Sequence, residues 1–226
     1  MNNTSSYIVA CPHCGATKRV AFANTPYYNH LYRMWSDGRL DSPGWCEPAW
    51  TQQCPSCEHF FILPPKSTLL VDNTPCDDIG ELPFSTLKQA VAELSGDEPA
   101  EMRARLDAWW AYNKLYKDVA DEDIPVEDKK YNRANMEQLL NYCLKQKPHP
   151  YTLIFELMRL LGQIDEYKRL LDSINFEVFV AWRQSRHQKD AVITASHEEI
   201  ERRLYLRFVE EKRRAIERPR KVYLVQ

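Results

Sequence analysis

Cys11-Pro12-His13-Cys14-Gly15 and Cys54-Pro55-Ser56-Cys57-Glu58 are two Cys-x-x-Cys pairs within the first sixty residues. Thiolates suit Zn²⁺, a borderline-soft ion that takes four ligands in a tetrahedron; one pair supplies half of that shell and two pairs close it. The spacing therefore predicts one structural zinc held by Cys11, Cys14, Cys54 and Cys57. Four protein ligands leave no open position for water or substrate, which a catalytic zinc requires. His13, Cys46 and His59 are alternative ligands by residue type, but the matched pairs already complete the shell. The chain has seven cysteines, an odd number with four in metal spacing, and this fits a metal site plus free thiols better than a disulfide framework.

Working outward, Tyr7-Ile8-Val9-Ala10 is a β-prone run that enters the first pair, and Lys18-Arg19-Val20-Ala21-Phe22 leaves it. Trp50-Thr51-Gln52-Gln53 enters the second pair and His59-Phe60-Phe61-Ile62-Leu63 leaves it, stopped by Pro64-Pro65. Gly15 supplies the positive φ that the turn after the second cysteine needs. Glu58 stands at the equivalent place in the second turn and makes it less ideal. Strand, Cys-Pro-x-Cys, strand resembles the knuckles of a zinc ribbon, although the connection from Gly15 to Gln53 is longer than a ribbon's usual spacer. That insert holds Tyr27, Tyr28, Tyr32, Trp35, Trp45 and Trp50, with a turn at Ser36-Asp37-Gly38. These aromatics are expected to supply the module's core or its contact with the helical body.

Cys-Pro-His-Cys also resembles the active-site motif of thiol oxidases with a thioredoxin-like fold, which implies a thiol-disulfide oxidoreductase using Cys11 and Cys14. In those proteins the first cysteine caps a long helix whose dipole lowers its pKa. Here a β-prone run comes next, and the second pair gives the thiols another purpose.

Residues 67–100 read as a connection. Leu69-Leu70-Val71 is apolar, 72–78 is turn material, and Leu87, Val91 and Leu94 lie at helical spacing in a helix opened at Phe84 and ended by Ser95-Gly96. Residues 101–226 read as helical, from a start at Glu98-Pro99. Met102, Leu106, Trp109 and Trp110 share a face, with core packing favoured over a stacking platform for bases. The acidic run from Asp118 to Asp128 is expected to be a solvated loop. Met136, Leu139, Leu140, Cys143 and Leu144 form an apolar stripe; Ile154, Leu157, Met158 and Leu161 form a second, and Ile164, Tyr167, Leu171 and Ile174 a third, with Gly162 at the turn between them. Phe176 to Trp182 continues as helix. Ser196-His197-Glu198-Glu199 has the form of a capping box before a long charged helix. Lys221 to Val225 is a candidate terminal strand or docking tail.

Leu161-Gly162-Gln163-Ile164-Asp165-Glu166-Tyr167 resembles the centre of a tetratricopeptide unit, with Tyr167 where a small residue is expected. Together with the two knuckles, Trp35-Ser36-Asp37-Gly38 and Trp109-Trp110, this makes the chain similar to bacterial proteins of uncharacterised function that join an N-terminal zinc ribbon to a tetratricopeptide-like helical tail. The resemblance implies no activity.

The formal net charge of −2 gives no global attraction to nucleic acid or an anionic membrane. A nucleic-acid contact would need a local patch, for which Lys18, Arg19 and Arg33 are the candidates. There is no Gly-rich phosphate loop, His-Glu-x-x-His helix or Gly-x-Ser-x-Gly elbow. No apolar run is of membrane-spanning length, and Met1-Asn2-Asn3-Thr4-Ser5-Ser6 lacks the features of a signal peptide, so a cytoplasmic location is expected. The sequence thus predicts an α+β protein: a zinc-ribbon module over 1–66, a connection over 67–100 and a helical domain over 101–226. Its expected work is that of a non-enzymatic adaptor whose partner is another protein, with nucleic acid as the alternative partner and no membrane.

Overall fold

The computed structural model describes residues 4–23, 33–35, 40–41, 50–64, 70–72, 81–187, 195–218 and 224–225. Strand β1 (Thr4–Ala10) runs antiparallel to β2 (Thr17–Ala23) across the first cysteine pair, with Tyr7 opposite Val20 and Val9 opposite Lys18. Strand β3 (Arg33–Trp35) pairs antiparallel with β4 (Leu40–Asp41). Strands β5 (Thr51–Gln53) and β6 (Phe60–Ile62) form the hairpin around the second cysteine pair. β7 (Leu70–Asp72) adds to the free side of β1, in the order β2-β1-β7. The terminal strand expected near the C-terminus is β8 (Leu224–Val225), which lies against β3. The turn at 36–38 and the aromatics Tyr27, Tyr28, Tyr32 and Trp45 lie outside the described residues, as do Cys46 and Cys76.

Period-two alternation decides which side chains of the knuckle strands turn inward. Tyr7, Val9 and Val20 meet Phe61 and Leu63, and Cys11 and Cys54 are buried among them, with Trp50 packed at the margin. The sulfurs therefore sit inside the small apolar cluster that joins the two hairpins.

Helices α1 (Phe84–Glu93) and α2 (Glu98–Tyr116) come next. The start of α2 has acids at Glu98 and Glu101 beside Pro99, and the Asp97 side chain accepts from the Ala100 amide at 3.3 Å. Leu87 and Val91 of α1 pack on Ala104 and Ala108 of α2, whose small side chains let the two helix backbones approach closely. Trp109 is fully buried and Trp110 half-buried, so the pair is no exposed stacking platform.

The acidic run differs from the solvated loop predicted for it. A 3₁₀ turn covers Asp121–Asp123, and α3 (Val126–Lys145) starts at once after Pro125. Glu127 and Asp128 occupy the first turn of that helix, where its dipole favours negative charge. Asp128 is partly buried and accepts from Lys88 Nζ at 2.8 Å and from Tyr116 Oη at 2.7 Å. These contacts hold its carboxyl below the usual range, Lys88 contributing most.

The chain divides into two compact units, Met1–Asn135 with Tyr223–Gln226, and Met136–Val222. The second contains α4 (Tyr151–Leu161), α5 (Ile164–Ser173), α6 (Phe176–His187) and α7 (Ala195–Ala215). The predicted stripes are buried except at Ile164, which is half-buried, and Leu144, which is exposed. Gly162 ends α4 at φ +76°, and the Gln163 amide donates to the Met158 carbonyl at 2.9 Å, the closing bond of a Schellman cap. Tyr167 is 1% exposed, and its hydroxyl donates to the Lys212 carbonyl of α7 at 2.7 Å, which ties α5 to α7. Phe155, Phe179, Trp182 and Phe208 pack ring on ring in the same unit. Helix α7 begins at Ala195, one residue before Ser196. Small antiparallel strand pairs followed by a mostly helical body make the fold α+β.

Candidate metal centre

The two knuckles share one hydrogen-bond pattern. In the first, the Gly15 amide donates to the Cys11 carbonyl at 2.9 Å and the Cys11 amide to the Ala16 carbonyl at 2.8 Å. In the second, Glu58 donates to Cys54 at 2.9 Å and Cys54 to His59 at 3.0 Å. In each, the amide two residues after the first cysteine points at its sulfur: His13 to Cys11 Sγ and Ser56 to Cys54 Sγ, both at 3.4 Å.

The turn needs a left-handed residue at its exit, Gly15 at φ +74° and Glu58 at φ +63°. A side chain in that region is strained by about 1 kcal/mol or more, because its Cβ crowds the following carbonyl. The Gln53 side chain helps hold Glu58 there by donating to its carbonyl at 3.1 Å. Glu58→Gly is accordingly expected to stabilise the protein by about 1 kcal/mol, read as a higher denaturant midpoint at unchanged slope. No gain, or a loss, would show that the second turn carries no strain.

These turns bring Cys11, Cys14, Cys54 and Cys57 to one point, with all four Sγ atoms within 4.8 Å of one another. Cys11 lies 3.7 Å from Cys57 and Cys14 lies 3.6 Å from Cys54. None is in a disulfide. A tetrahedron with metal–sulfur bonds of about 2.3 Å has edges of about 3.8 Å, so the cluster is close to the size that a thiolate-bound ion demands. Cys11 and Cys54 are buried, Cys57 is half-buried and Cys14 is exposed. The four are positioned to hold a metal ion.

The amides of Cys57 and Ser56 at its sulfur lower Cys54 to about 6 against the effect of burial. The Cys57 thiol receives the His59 amide, which favours thiolate. Burial and the other three thiols outweigh that donor and push it up to about 12. Cys54 thus becomes thiolate readily and Cys57 resists it; a divalent cation is what would let Cys57 ionise beside it.

Two carboxylates that sequence reading passed over fasten the helices to the second knuckle. Glu93, at the end of α1, accepts from the Phe60 amide at 3.0 Å and from His59 Nδ1 at 2.9 Å. Burial raises its pKa, but these donors outweigh burial and hold it below the usual value. Asp107 of α2 takes both the amide and the hydroxyl of Thr51, each at 2.7 Å. Arg103, one turn earlier, lies over the Trp50 ring at 4.6 Å. The His13 and His59 rings stack at 4.7 Å, so neither is drawn into the sulfur cluster as an alternative ligand.

Burial pushes Asp107 from 3.8 to about 6, with the Thr51 donors and Arg103 opposing it. A raised carboxyl favours the folded state fully only below about pH 3.8, and that advantage disappears as pH rises through about 6. The interval corresponds to about 3 kcal/mol as an order of magnitude. Asp107→Asn keeps an acceptor for the Thr51 amide but does not titrate. The stability of the variant relative to the parent is thus expected to rise by up to about 3 kcal/mol between about pH 4 and about pH 7. Denaturant titrations at both ends check this, and the comparison cancels proton effects on the thiolates. A difference independent of pH would refute the assignment.

The residues considered for nucleic acid are dispersed in role. Lys18 is half-buried and donates to the buried Gln52 Oε1 at 3.0 Å, which ties the first hairpin to the second. Arg19 is exposed on β2, and Arg33 opens β3. Both Cys-x-x-Cys turns run into strands, β2 and β6, so no helix N-terminus acts on Cys11 as it does in thiol oxidases.

No family model matches the sequence, and neither a curated protein nor a solved structure is detectably similar to it.

Proposed function

We propose that this chain is a non-enzymatic zinc-binding interaction protein, in which Zn²⁺ is a structural element of the N-terminal module and the helical body presents a surface to another protein. The observation that carries the metal half is the convergence of four sulfurs within 4.8 Å, with no harder donor in the group among the described residues. Soft tetrahedral donors favour zinc over magnesium, calcium or manganese. With all four positions filled by protein, the ion would hold the fold together and leave no place for substrate. Among the described residues the apolar cluster around the sulfurs has seven buried members, Cys11 and Cys54 included, and a metal tie would add to what so small a cluster supplies.

The partner half is supported by the second unit. Its paired helices resemble tetratricopeptide units, which present grooves to peptides. A groove of about 460 Å³ opens between α5 and α7, lined by Lys168, Asp172, Arg213 and Glu217 around Leu171 and Ile216. Both charge signs beside apolar surface suit a polypeptide better than a phosphate backbone, which selects for cations alone.

Elemental analysis of the purified chain tests the first half: one zinc per chain is expected, and its absence together with any other tightly held metal sinks it. Affinity capture from a lysate of the source cell at physiological salt tests the second. A specific protein is expected, released by Lys168→Glu with Arg213→Glu. Retention of nucleic acid alone, strengthened at low salt and lost on replacing Lys18, Arg19 and Arg33, would overturn it in favour of a nucleic-acid-binding ribbon.

A further inference from the structure

We infer that the cysteine cluster is also a peroxide-sensitive switch: oxidation joins Cys14 to Cys54 and expels the ion, leaving the two knuckles stapled together. This rests on the zinc reading of the same site. Access is graded within the cluster, since Cys14 is exposed, Cys57 half-buried, and Cys11 and Cys54 buried. An oxidant from solution meets Cys14 first, and a thiolate is the form that reacts. The sulfur within 3.6 Å of Cys14 is that of Cys54, on the other knuckle and 40 residues along the chain. Closing that gap to a disulfide of about 2.05 Å needs a shift of about 1.5 Å, within the reach of two side-chain torsions.

The chemistry balances with hydrogen peroxide as the named oxidant. The Cys14 thiolate attacks the peroxide, the O–O bond breaks, and Cys14 becomes a sulfenic acid with release of hydroxide. The Cys54 thiolate attacks that sulfur, an S–S bond forms and a second hydroxide leaves. Two thiolates have lost two electrons and one peroxide has gained them, its two oxygens and two hydrogens leaving as the two hydroxides. The ion keeps only Cys11 and Cys57, half of a tetrahedral shell, and departs. Which sulfurs join decides the consequence. A bond within either knuckle would leave the β1–β2 and β5–β6 hairpins with no covalent or metal link once the ion is gone, held only by the Lys18–Gln52 hydrogen bond and the small apolar cluster. A bond from Cys14 to Cys54 keeps the connection that the metal made, so the oxidised module stays folded without zinc.

The test uses the full chain, loaded with zinc and freed of reductant, with metal content measured before peroxide is added. Titration with hydrogen peroxide is expected to release the ion, detected by a chromogenic chelator. Non-reducing proteolysis and mass spectrometry are then expected to yield the Cys14–Cys54 linked peptide in excess over any other linkage. The oxidised, zinc-free chain should keep the melting transition of the N-terminal module; chelator-treated, reduced chain should lose it, and dithiothreitol with zinc should restore the starting state. Linkages within a knuckle or to Cys46, Cys76 or Cys143, zinc retained under excess peroxide, or melting of the oxidised chain like the stripped one would each overturn the switch. A chain without metal before peroxide fails at the earlier step, and removes the zinc assignment and the switch together.

Discussion

Cys54→Ser is expected to yield a chain that holds no stoichiometric zinc and has lost the folded N-terminal module. Cys54 is 1% exposed, lies 3.6 Å from Cys14 and belongs to the apolar cluster as well as to the four-sulfur group. A structural zinc in small modules is worth about 10–16 kcal/mol of apparent binding energy at neutral pH, and that binding energy is folding energy. Whole domains are stable by only about 5–15 kcal/mol, so a lost ligand is enough to unfold the module. Elemental analysis and the amide dispersion of an NMR spectrum report the two effects. Cys143→Ala is the matching control: Cys143 is buried in the helical body and is not one of the four clustered cysteines, so zinc content should remain at the parent's level. Should Cys54→Ser bind one zinc per chain and melt like the parent, the four-sulfur site would be wrong.

Glu156→Leu is expected to destabilise the second unit by about 3–5 kcal/mol, the cost of leaving a buried charge without its counter-ion. Glu156 is 5% exposed and Arg159 is 1% exposed. The guanidinium grips the carboxylate twice, Nε to Oε2 at 2.9 Å and the second nitrogen to Oε1 at 2.7 Å. Such a fork offsets much of the desolvation of both ions, but only while both are present. Glu156→Leu combined with Arg159→Met removes the charges together and should recover most of the loss, or exceed the parent. A single substitution costing under about 1 kcal/mol, the range of exposed pairs, would mean that water reaches this pair. Denaturant unfolding of the two variants measures the coupling.

The metal site was legible because its signal is local. Cysteines three apart with proline between them, flanked by β-prone runs, specify a turn that aims two sulfurs one way, and Gly15 supplies the φ of +74° that turn needs. The helical stripes were legible for the same reason, since Ile154, Leu157, Met158 and Leu161 repeat with the helix period and are all buried. The carboxylates were not. Glu93 and Asp107 sit on helices at positions that read as ordinary polar residues, and their partners lie 33 and 56 residues away in the chain. Glu156 and Arg159 have the i, i+3 spacing of a solvated surface pair, and nothing local tells a buried fork from an exposed one. The start of α3 was hidden because its acids have the composition of a loop, whereas at a helix N-terminus the dipole favours them.

By itself, then, the sequence determined which atoms can bind an ion, how each knuckle turns, and where helices replace strands, because ligand chemistry, turn conformation and apolar period are properties of a few neighbouring residues. Only the tertiary structure decided that Cys14 and Cys54 approach to 3.6 Å, that Asp107 closes on Thr51, and that Tyr167 reaches the backbone of α7. Those contacts join residues forty or more positions apart. They form only when the elements between them pack, and packing is set by the whole surface that is buried.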